Sequence, residues 1–239
     1  MTTVIGVDSA NPISPEYFSS VCDHLAAMPS FWGRYLGGSY GMTAQEAAFV
    51  RSLPDKTKPR ILPIYAQTTE HPSALTGTTV DGEADAAAAT SLALADYLAI
   101  PANGKVVIYA DIEYSYKVSA AWLTGWINGV TSRGFLAGIY MAPLGPFGED
   151  FCSLDIASQK SVILWSAQHS IDGNKAGNSQ YCKTEYLKTL PNEKLSPAPL
   201  LCGSSIFEAD IWQCCIGCFE NLYDVDIASE NAFSKMWAI

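Results

Sequence analysis

The sequence predicts an α/β fold, a TIM-type (β/α)8 barrel forming a single domain over residues 1–239, and three observations lead there. Strand and helix patterns alternate from end to end, the rhythm of parallel strands joined by crossover helices. Eight strand runs can be counted, the number that closes such a barrel, and 239 residues is close to the ~250 typical of one. Acids fall at the predicted C-terminal ends of strands one, four and eight: Asp8, then Asp111 and Glu113, then Asp224 and Asp226. That rim is where such barrels gather their reactive groups.

Val4 to Asp8 is the first strand, with Ile5 and Val7 on one face. Ser14-Pro15-Glu16 opens a helix, a capping serine followed by proline at the first helical position. Tyr17, Phe18, Val21, Leu25 and Met28 recur along it at helical spacing, and Pro29 stops it. Phe31 to Leu36 is the second strand and carries Arg34 near its end. Thr43-Ala44-Gln45-Glu46 has the form of a capping box for a helix that ends before Pro54. Arg60 to Gln67 is the third strand. Asp81 caps a long alanine-rich helix from Gly82 to about Ile100, and the fourth strand lies within 104–115. Ser119 caps a helix with Trp122, Trp126, Ile127 and Val130 on one stripe, and Gly134 stands where a C-terminal cap glycine belongs. Phe135 to Met141 is the fifth strand, 147–158 a short helix, and Ser161 to Gln168 the sixth strand. Over 169–205 the pattern lapses into Gly, Asn, Pro and Ser, with one short helix from Thr184 to Leu190. This excursion is expected to leave the barrel mouth and border it. Ile206 to Gln213 and Leu222 to Ile227 are the last two strands, and a helix from Ser229 closes the chain.

The net charge of −10 and pI near 4.6, with no Lys/Arg cluster, argue against nucleic acid and anionic membranes as partners. No apolar run reaches the ~18 residues of a membrane span, and residues 1–8 read as a strand, so neither a span nor a signal peptide is expected. Seven cysteines leave at least one outside any internal disulfide. Cys182 and Cys202 are the pair expected to bridge in an oxidising compartment. Cys215-Ile216-Gly217-Cys218 has C-x-x-C spacing, but with only His24, His71 and His169 in the chain it falls short of a zinc framework, and buried free thiols are expected there. No phosphate-binding glycine loop and no Ser-His-Asp context occurs. No cofactor and no metal are expected.

Along the fourth strand, Val106, Ile108, Ala110 and Ile112 share one face, and Val107, Tyr109, Asp111 and Glu113 the other. Two acids aimed at one place suit glycosidic hydrolysis, one protonating the leaving oxygen and the other assisting water or the positively charged sugar. The alternative is a solvated strand end or half of an ion-pair network. Glu113 is the predicted general acid, favoured by aromatic Tyr109 and Tyr114 and by the adjoining Asp111 carboxylate. Residues two apart on a strand rise roughly 6.6 Å, between the carboxyl separations of about 5–5.5 Å in retaining and about 6.5–9.5 Å in inverting enzymes, so both outcomes stay open. Asp8 and Asp226 are expected side by side across the mouth, either as supporting acids or as partners of Arg34 or strand-end amides. Asp224 shares their face but is expected deeper. Arg34, Tyr65, Gln67, Tyr140, Trp165, Gln168, Trp212 and Asp224 are the candidate substrate contacts, the aromatic ones being core packing otherwise.

Taken in order, Gly6-Val7-Asp8, Asp85-Ala86, Asp111-Ile112-Glu113, Gly138-Ile139-Tyr140, Ile211-Trp212-Gln213 and Val225-Asp226 resemble the motif series of glycoside hydrolase family 25, the lysozyme-like muramidases. Phe31-Trp32-Gly33-Arg34-Tyr35-Leu36-Gly37 is more similar to the related glycoside-hydrolase-like domain of exported bacterial proteins. The likeness covers nearly all of the chain outside 169–205. It implies a (β/α) barrel, bacterial cell-wall glycan as substrate class, and a catalytic Asp111-x-Glu113 pair supported by Asp8 and Asp226. One departure is Asn11-Pro12-Ile13, where muramidases usually carry a Gln-containing segment, so part of the sugar-binding pattern is missing. The expected function is therefore a lysozyme-like glycoside hydrolase acting on peptidoglycan or a related amino-sugar polymer. A non-catalytic glycan-binding barrel and a metal-dependent hydrolase using the carboxylates are the alternatives. A polysaccharide partner, a monomeric state and a secreted or cell-wall location complete the expectation, with the cytoplasm as the remaining option.

Overall fold

Alternating apolar runs become ten strands among the described residues: β1 (Thr3–Asp8), β2 (Phe31–Leu36), β3 (Arg60–Tyr65), β4 (Val107–Ile112), β5 (Leu136–Met141), β6 (Ile163–Ala167), β7 (Leu200–Cys202), β8 (Ser205–Phe207), β9 (Ile211–Gly217) and β10 (Tyr223–Ser229). This computed structural model describes residues 3–65, 72–95, 105–113, 116–142, 147–168, 183–189, 197 and 199–239. Eight strands close into a barrel in the order β1-β10-β9-β6-β5-β4-β3-β2, while β7 and β8 pair as a separate hairpin. Ile206, expected at the start of a barrel strand, belongs to that hairpin, because the chain reverses through Gly203 at φ 61°.

The barrel is mixed rather than all-parallel. β1 through β6 and β9 run parallel, but β10 is antiparallel to both β1 and β9. The cause is the link between β9 and β10, a single turn of helix over Cys218–Asn221, far shorter than the dozen or so residues that a parallel crossover needs. The final strand therefore starts at the mouth, and its C-terminal end lies at the base. Asp224 pairs with Asp8 at the rim, and Asp226 pairs with Gly6 one layer below. The expected depths of the two acids are thus reversed.

Two apolar cores follow from strand alternation. Val107, Tyr109, Phe31, Leu62, Ile163, Trp165 and Ile211 fill the barrel interior. Ile108, Ala110, Ile112, Val7, Trp32, Ile61 and Ile139 face outward against the helices. Those helices are α1 (Pro15–Leu25), α2 (Ala44–Ser52), α3 (Thr79–Ala95), α4 (Ala120–Ser132), α5 (Phe147–Cys152), α6 (Ile156–Ser161), α7 (Thr184–Thr189), α8 (Cys218–Asn221) and α9 (Glu230–Ser234). Ser14 and Ser119 cap α1 and α4 through their side-chain oxygens, and Thr43 and Glu46 complete the capping box of α2. α3 starts at Thr79, earlier than expected, with Asp81 accepting from the Thr78 amide at 2.7 Å. α3 and α4 press backbone against backbone, since a Cβ on Gly82 or Gly125 would collide with a carbonyl of the other helix or the residues before it. Base closure comes from the chain end: Trp237 exchanges both backbone hydrogen bonds with Ile61 at 2.8 Å, and the Val107 amide donates to the Lys235 carbonyl at 3.0 Å.

Cys152 at the end of α5 is bridged to Cys202 in β7. The expected partner of Cys202, Cys182, lies outside the described residues, as does most of the excursion said to border the mouth. Cys218 is disulfide-bonded as well, where a buried thiol is expected, while its C-x-x-C neighbour Cys215 is a buried thiol.

Candidate active site

The C-terminal ends of the parallel strands surround a cavity. Its narrow floor, about 70 Å³, is lined by Asp8 from β1, Tyr35 from β2, Ile64 from β3, Asp111 and Glu113 from the end of β4, Tyr140 from β5, Trp165 from β6, Gln213 from β9 and Asp224 from β10. Asp8, Tyr35, Glu113, Tyr140, Gln213 and Asp224 also line a wider space of about 540 Å³, which Asn11, Gly217 and Tyr223 help to border. Each position follows from alternation: the residue two before it on the same strand, such as Gly33 before Tyr35 or Tyr109 before Asp111, also faces inward.

Hydrogen bonds fix the walls. The Tyr35 hydroxyl donates to Asp111 Oδ2 at 3.1 Å, and the Tyr140 hydroxyl donates to Gln213 Oε1 at 2.9 Å. Gln213 Nε2 then donates to Asp8 Oδ2 at 2.8 Å and to Asp224 Oδ2 at 3.2 Å, tying β1, β9 and β10 together. Asp224 Oδ1 accepts from the Gly217 amide at 2.7 Å. A β-bulge makes that contact possible: register steps from Asp226 opposite Gln213 to Val225 opposite Cys215, so β9 holds one extra residue beside the site.

Burial governs the ionisation of these groups. The Asp224 carboxyl is pushed up to about 6, by burial first and further by the Glu113 charge, against the pull of the Gly217 amide. Asp226 is wholly buried below the cavity and accepts from Trp165 Nε1 at 2.9 Å. Burial, with Asp8 and Asp224 nearby, holds its carboxyl well above the usual range. Burial and the acids around them also push the Tyr35 and Tyr140 hydroxyls far above the ordinary phenol value, so both stay donors.

Of the residues singled out from sequence, Asp8, Asp111, Glu113, Tyr140, Trp165 and Asp224 line one cavity, and Asp226 lies beneath it. Arg34 does not reach it. It points outward, wholly buried, paired with Glu46 at 2.5 Å and donating to the Ser9 carbonyl at 2.7 Å, because its even position on β2 faces the helices. Tyr65 also faces outward, stacked on Trp126 at 5.9 Å and donating to Asp85 at 3.3 Å. Trp212 packs in the outer core with its indole donating to the Gln168 carbonyl at 2.7 Å, and Gln168 lies outside the cavity lining. Gln67 lies outside the described residues. Tyr35 and Gln213 were the residues that sequence reasoning passed over. The signal for both was alternation, since each sits next to an outward-facing residue chosen for its polarity or aromatic ring. Among the described residues, no group of three or more His, Cys, Asp or Glu is arranged to hold a metal ion.

Neither a protein-family profile nor a curated protein sequence matches the chain. Solved structures do share its fold. An uncharacterized protein of B. stearothermophilus superposes with TM-score 0.75 at 22% identity, over 98% of this chain and 100% of its own. A Tat-secreted protein of Mycobacterium tuberculosis, solved in complex with HEPES, gives 0.53 at 15% identity over 99% of this chain and 98% of its own. A family GH25 lysozyme from Aspergillus fumigatus gives 0.50 at 13% identity over 99% of this chain and 100% of its own, so the likeness to glycoside hydrolases is one of fold.

Proposed function

We propose that the protein is a lysozyme-like glycoside hydrolase that cleaves peptidoglycan or a related amino-sugar polymer. The observation that carries this reading is the convergence of Asp8, Asp111, Glu113 and Asp224, from the ends of three strands, on one cavity. Glycosidic cleavage needs a carboxylic acid at the leaving oxygen and a second carboxyl facing the sugar carbon. Glu113 borders both the narrow floor and the wider space, as Asp8 and Asp224 do, and in this reading it acts as the proton donor to a bond lying across the opening. Asp111, deeper and oriented by Tyr35, faces the ring and either stabilises its positive charge or attacks it. Gln213 and Tyr140 keep Asp8 and Asp224 in place, and the Tyr140 and Trp165 rings, 4.9 Å apart, offer an apolar wall to a sugar face. Structural likeness to a GH25 lysozyme supports the reading only at the level of fold.

Export fits the same picture. A disulfide joins Cys152 to Cys202, such bonds persist in oxidising compartments, and one structural neighbour is Tat-secreted. No helix among the described residues is long and apolar enough to cross a membrane.

Incubation with purified peptidoglycan, followed by mass analysis of soluble fragments, tests substrate and bond together. The wild-type protein should release fragments with new reducing ends. Glu113→Gln should lower kcat by about 10²- to 10⁴-fold with an unchanged melting temperature, since it keeps the shape and removes the proton. A fully active, folded Glu113→Gln protein overturns the assignment.

A further inference from the structure

We infer that Tyr40, on the loop between β2 and α2, is the platform of a second sugar subsite at the rim of the mouth, where its ring stacks on a pyranose of the same polymer. The inference rests on the glycan reading of the cavity and adds to it one binding site outside the cavity lining. Among the described residues, Tyr40 is the one aromatic side chain that is more than half exposed, at 53%. The other large apolar side chains that are exposed, Met28, Val80, Ile156, Leu201 and Ile206, carry no ring. The loop leaves the C-terminal end of β2, so Tyr40 stands at the mouth. Its ring lies 6.1 Å from that of Tyr35, tilted by 48°. Tyr35 lines both the floor and the wider space, and its hydroxyl donates to Asp111. Tyr40 is thus the next ring outward from the floor, where a polymer longer than the cavity crosses the rim.

The backbone that carries this ring is anchored from both sides. Gly37 and Gly38 turn the chain out of β2 at φ 67° and 66°. The chain then folds back on β2: Gly41 is bridged to Tyr35, and the Met42 amide donates to the Tyr35 carbonyl at 2.8 Å. A Cβ at position 41 would stand 2.7 Å from the Gly37 carbonyl oxygen, so the turn is closed on itself. From beneath, the wholly buried Arg34 donates through Nη2 to the Tyr40 carbonyl at 3.1 Å and through Nη1 to the Ser9 carbonyl at 2.7 Å, its charge balanced by Glu46. Ser9 borders the wider space, so one guanidinium ties the Tyr40 loop to the cavity wall. Holding the backbone at residue 40 while leaving its ring in water suits recognition, because a preorganised site loses less freedom when a ligand binds. Tyrosine also suits a pyranose: its face meets the apolar C–H side of the sugar, its hydroxyl stays among water and sugar hydroxyls, and only two side-chain torsions are frozen.

The test titrates wild-type protein calorimetrically with the dimer and the hexamer of N-acetylglucosamine, and products in the same samples are analysed by mass. The hexamer, which reaches from the floor over the rim, should bind about tenfold more tightly than the dimer. Tyr40→Ala should raise the hexamer Kd by about fivefold to tenfold, the scale of one aromatic contact, and leave the dimer Kd within about twofold. Tyr40→Phe keeps the ring and should bind both oligomers as wild type does. Met28→Ala, which trims an exposed side chain between α1 and the start of β2 at the base, should change neither. An unchanged hexamer Kd in Tyr40→Ala, a loss in Tyr40→Phe as large as in Tyr40→Ala, or binding of neither oligomer by wild type overturns the inference. So does an equal loss for dimer and hexamer, by tracing the effect to Tyr35 and the floor. Cleavage of the hexamer with an unchanged Kd in Tyr40→Ala overturns this inference and leaves the hydrolase reading standing. A length preference that Tyr40→Ala abolishes, with no cleavage of either oligomer, does the reverse.

Discussion

Asp224 concentrates the chemistry of the site in one side chain. Its carboxyl lies near 6 when folded against about 3.9 when unfolded, and burial is the main cause. An acid raised in this way supports the fold fully below the unfolded value and loses that support as pH climbs through about 6. The penalty at neutral pH is at most about 3 kcal/mol, and less where neighbouring acids share it. Asp224→Asn keeps an oxygen for the Gly217 amide and removes the ionisation. Measured by urea unfolding, it should gain about 1–2 kcal/mol relative to wild type on going from pH 4 to pH 7.5. The same stability difference at both pH values would show that Asp224 does not ionise against this resistance. Alternation made half of this site legible in the sequence: it put Asp111 and Glu113 on the inner face together with Tyr109. It also forced a choice between Arg34 and Tyr35, and between Trp212 and Gln213. Polarity and ring size pointed to the wrong member each time. Arg34 finds its counter-charge in Glu46, whose visible role in the sequence was the capping box alone.

At the level of elements, strands and caps were readable because they depend on local pattern, and the direction of β10 was not. Alternation is the same read forwards or backwards, so the run from Tyr223 to Ser229 looks alike whether it enters or leaves the mouth. What decides is the short link over Cys218–Asn221, and with it the depth of Asp224 and Asp226. Cysteine pairing was hidden for a similar reason, since proximity of Cys202 to Cys152 depends on how the hairpin of β7 and β8 folds back onto α5. Phe151 meets Phe207 edge to face at 5.5 Å beside that bridge. A bond closing a loop of 50 residues restricts the unfolded chain by up to about 4 kcal/mol. Cys152→Ser, Cys202→Ser and the double variant should therefore each lose about 2–4 kcal/mol in denaturant titrations, and by the same amount, because all three remove one bond. Additive losses from the single variants would mean that the two cysteines act separately.

Across the whole molecule, the two ends of the barrel do different work. The mouth holds buried acids that repel one another, and the base is closed by the chain terminus. There, Met236 sits under the inner core, Trp237 is almost wholly buried, and Arg60 lies over the Phe233 ring at 4.5 Å while donating to its carbonyl at 2.9 Å. In barrels of this class the face at the C-terminal strand ends carries function and the opposite face carries stability. The two should then come apart under mutation. Trp237→Ala empties a large apolar site at the base and should cost about 3–5 kcal/mol in urea unfolding. Its backbone pairing with Ile61 needs no side chain, so the strand ends stay in register. Activity per folded molecule, measured well below the melting temperature, should remain within about twofold of wild type, because Trp237 packs at the base while Glu113 and Asp111 line the mouth. Asp224→Asn should do the opposite, gaining stability at neutral pH while weakening turnover. Plotted together, Trp237→Ala should move along the stability axis alone, and Asp224→Asn should move up in stability and down in kcat/KM. A Trp237→Ala protein that folds fully but loses activity in proportion to its stability would show that base and mouth form one cooperative unit.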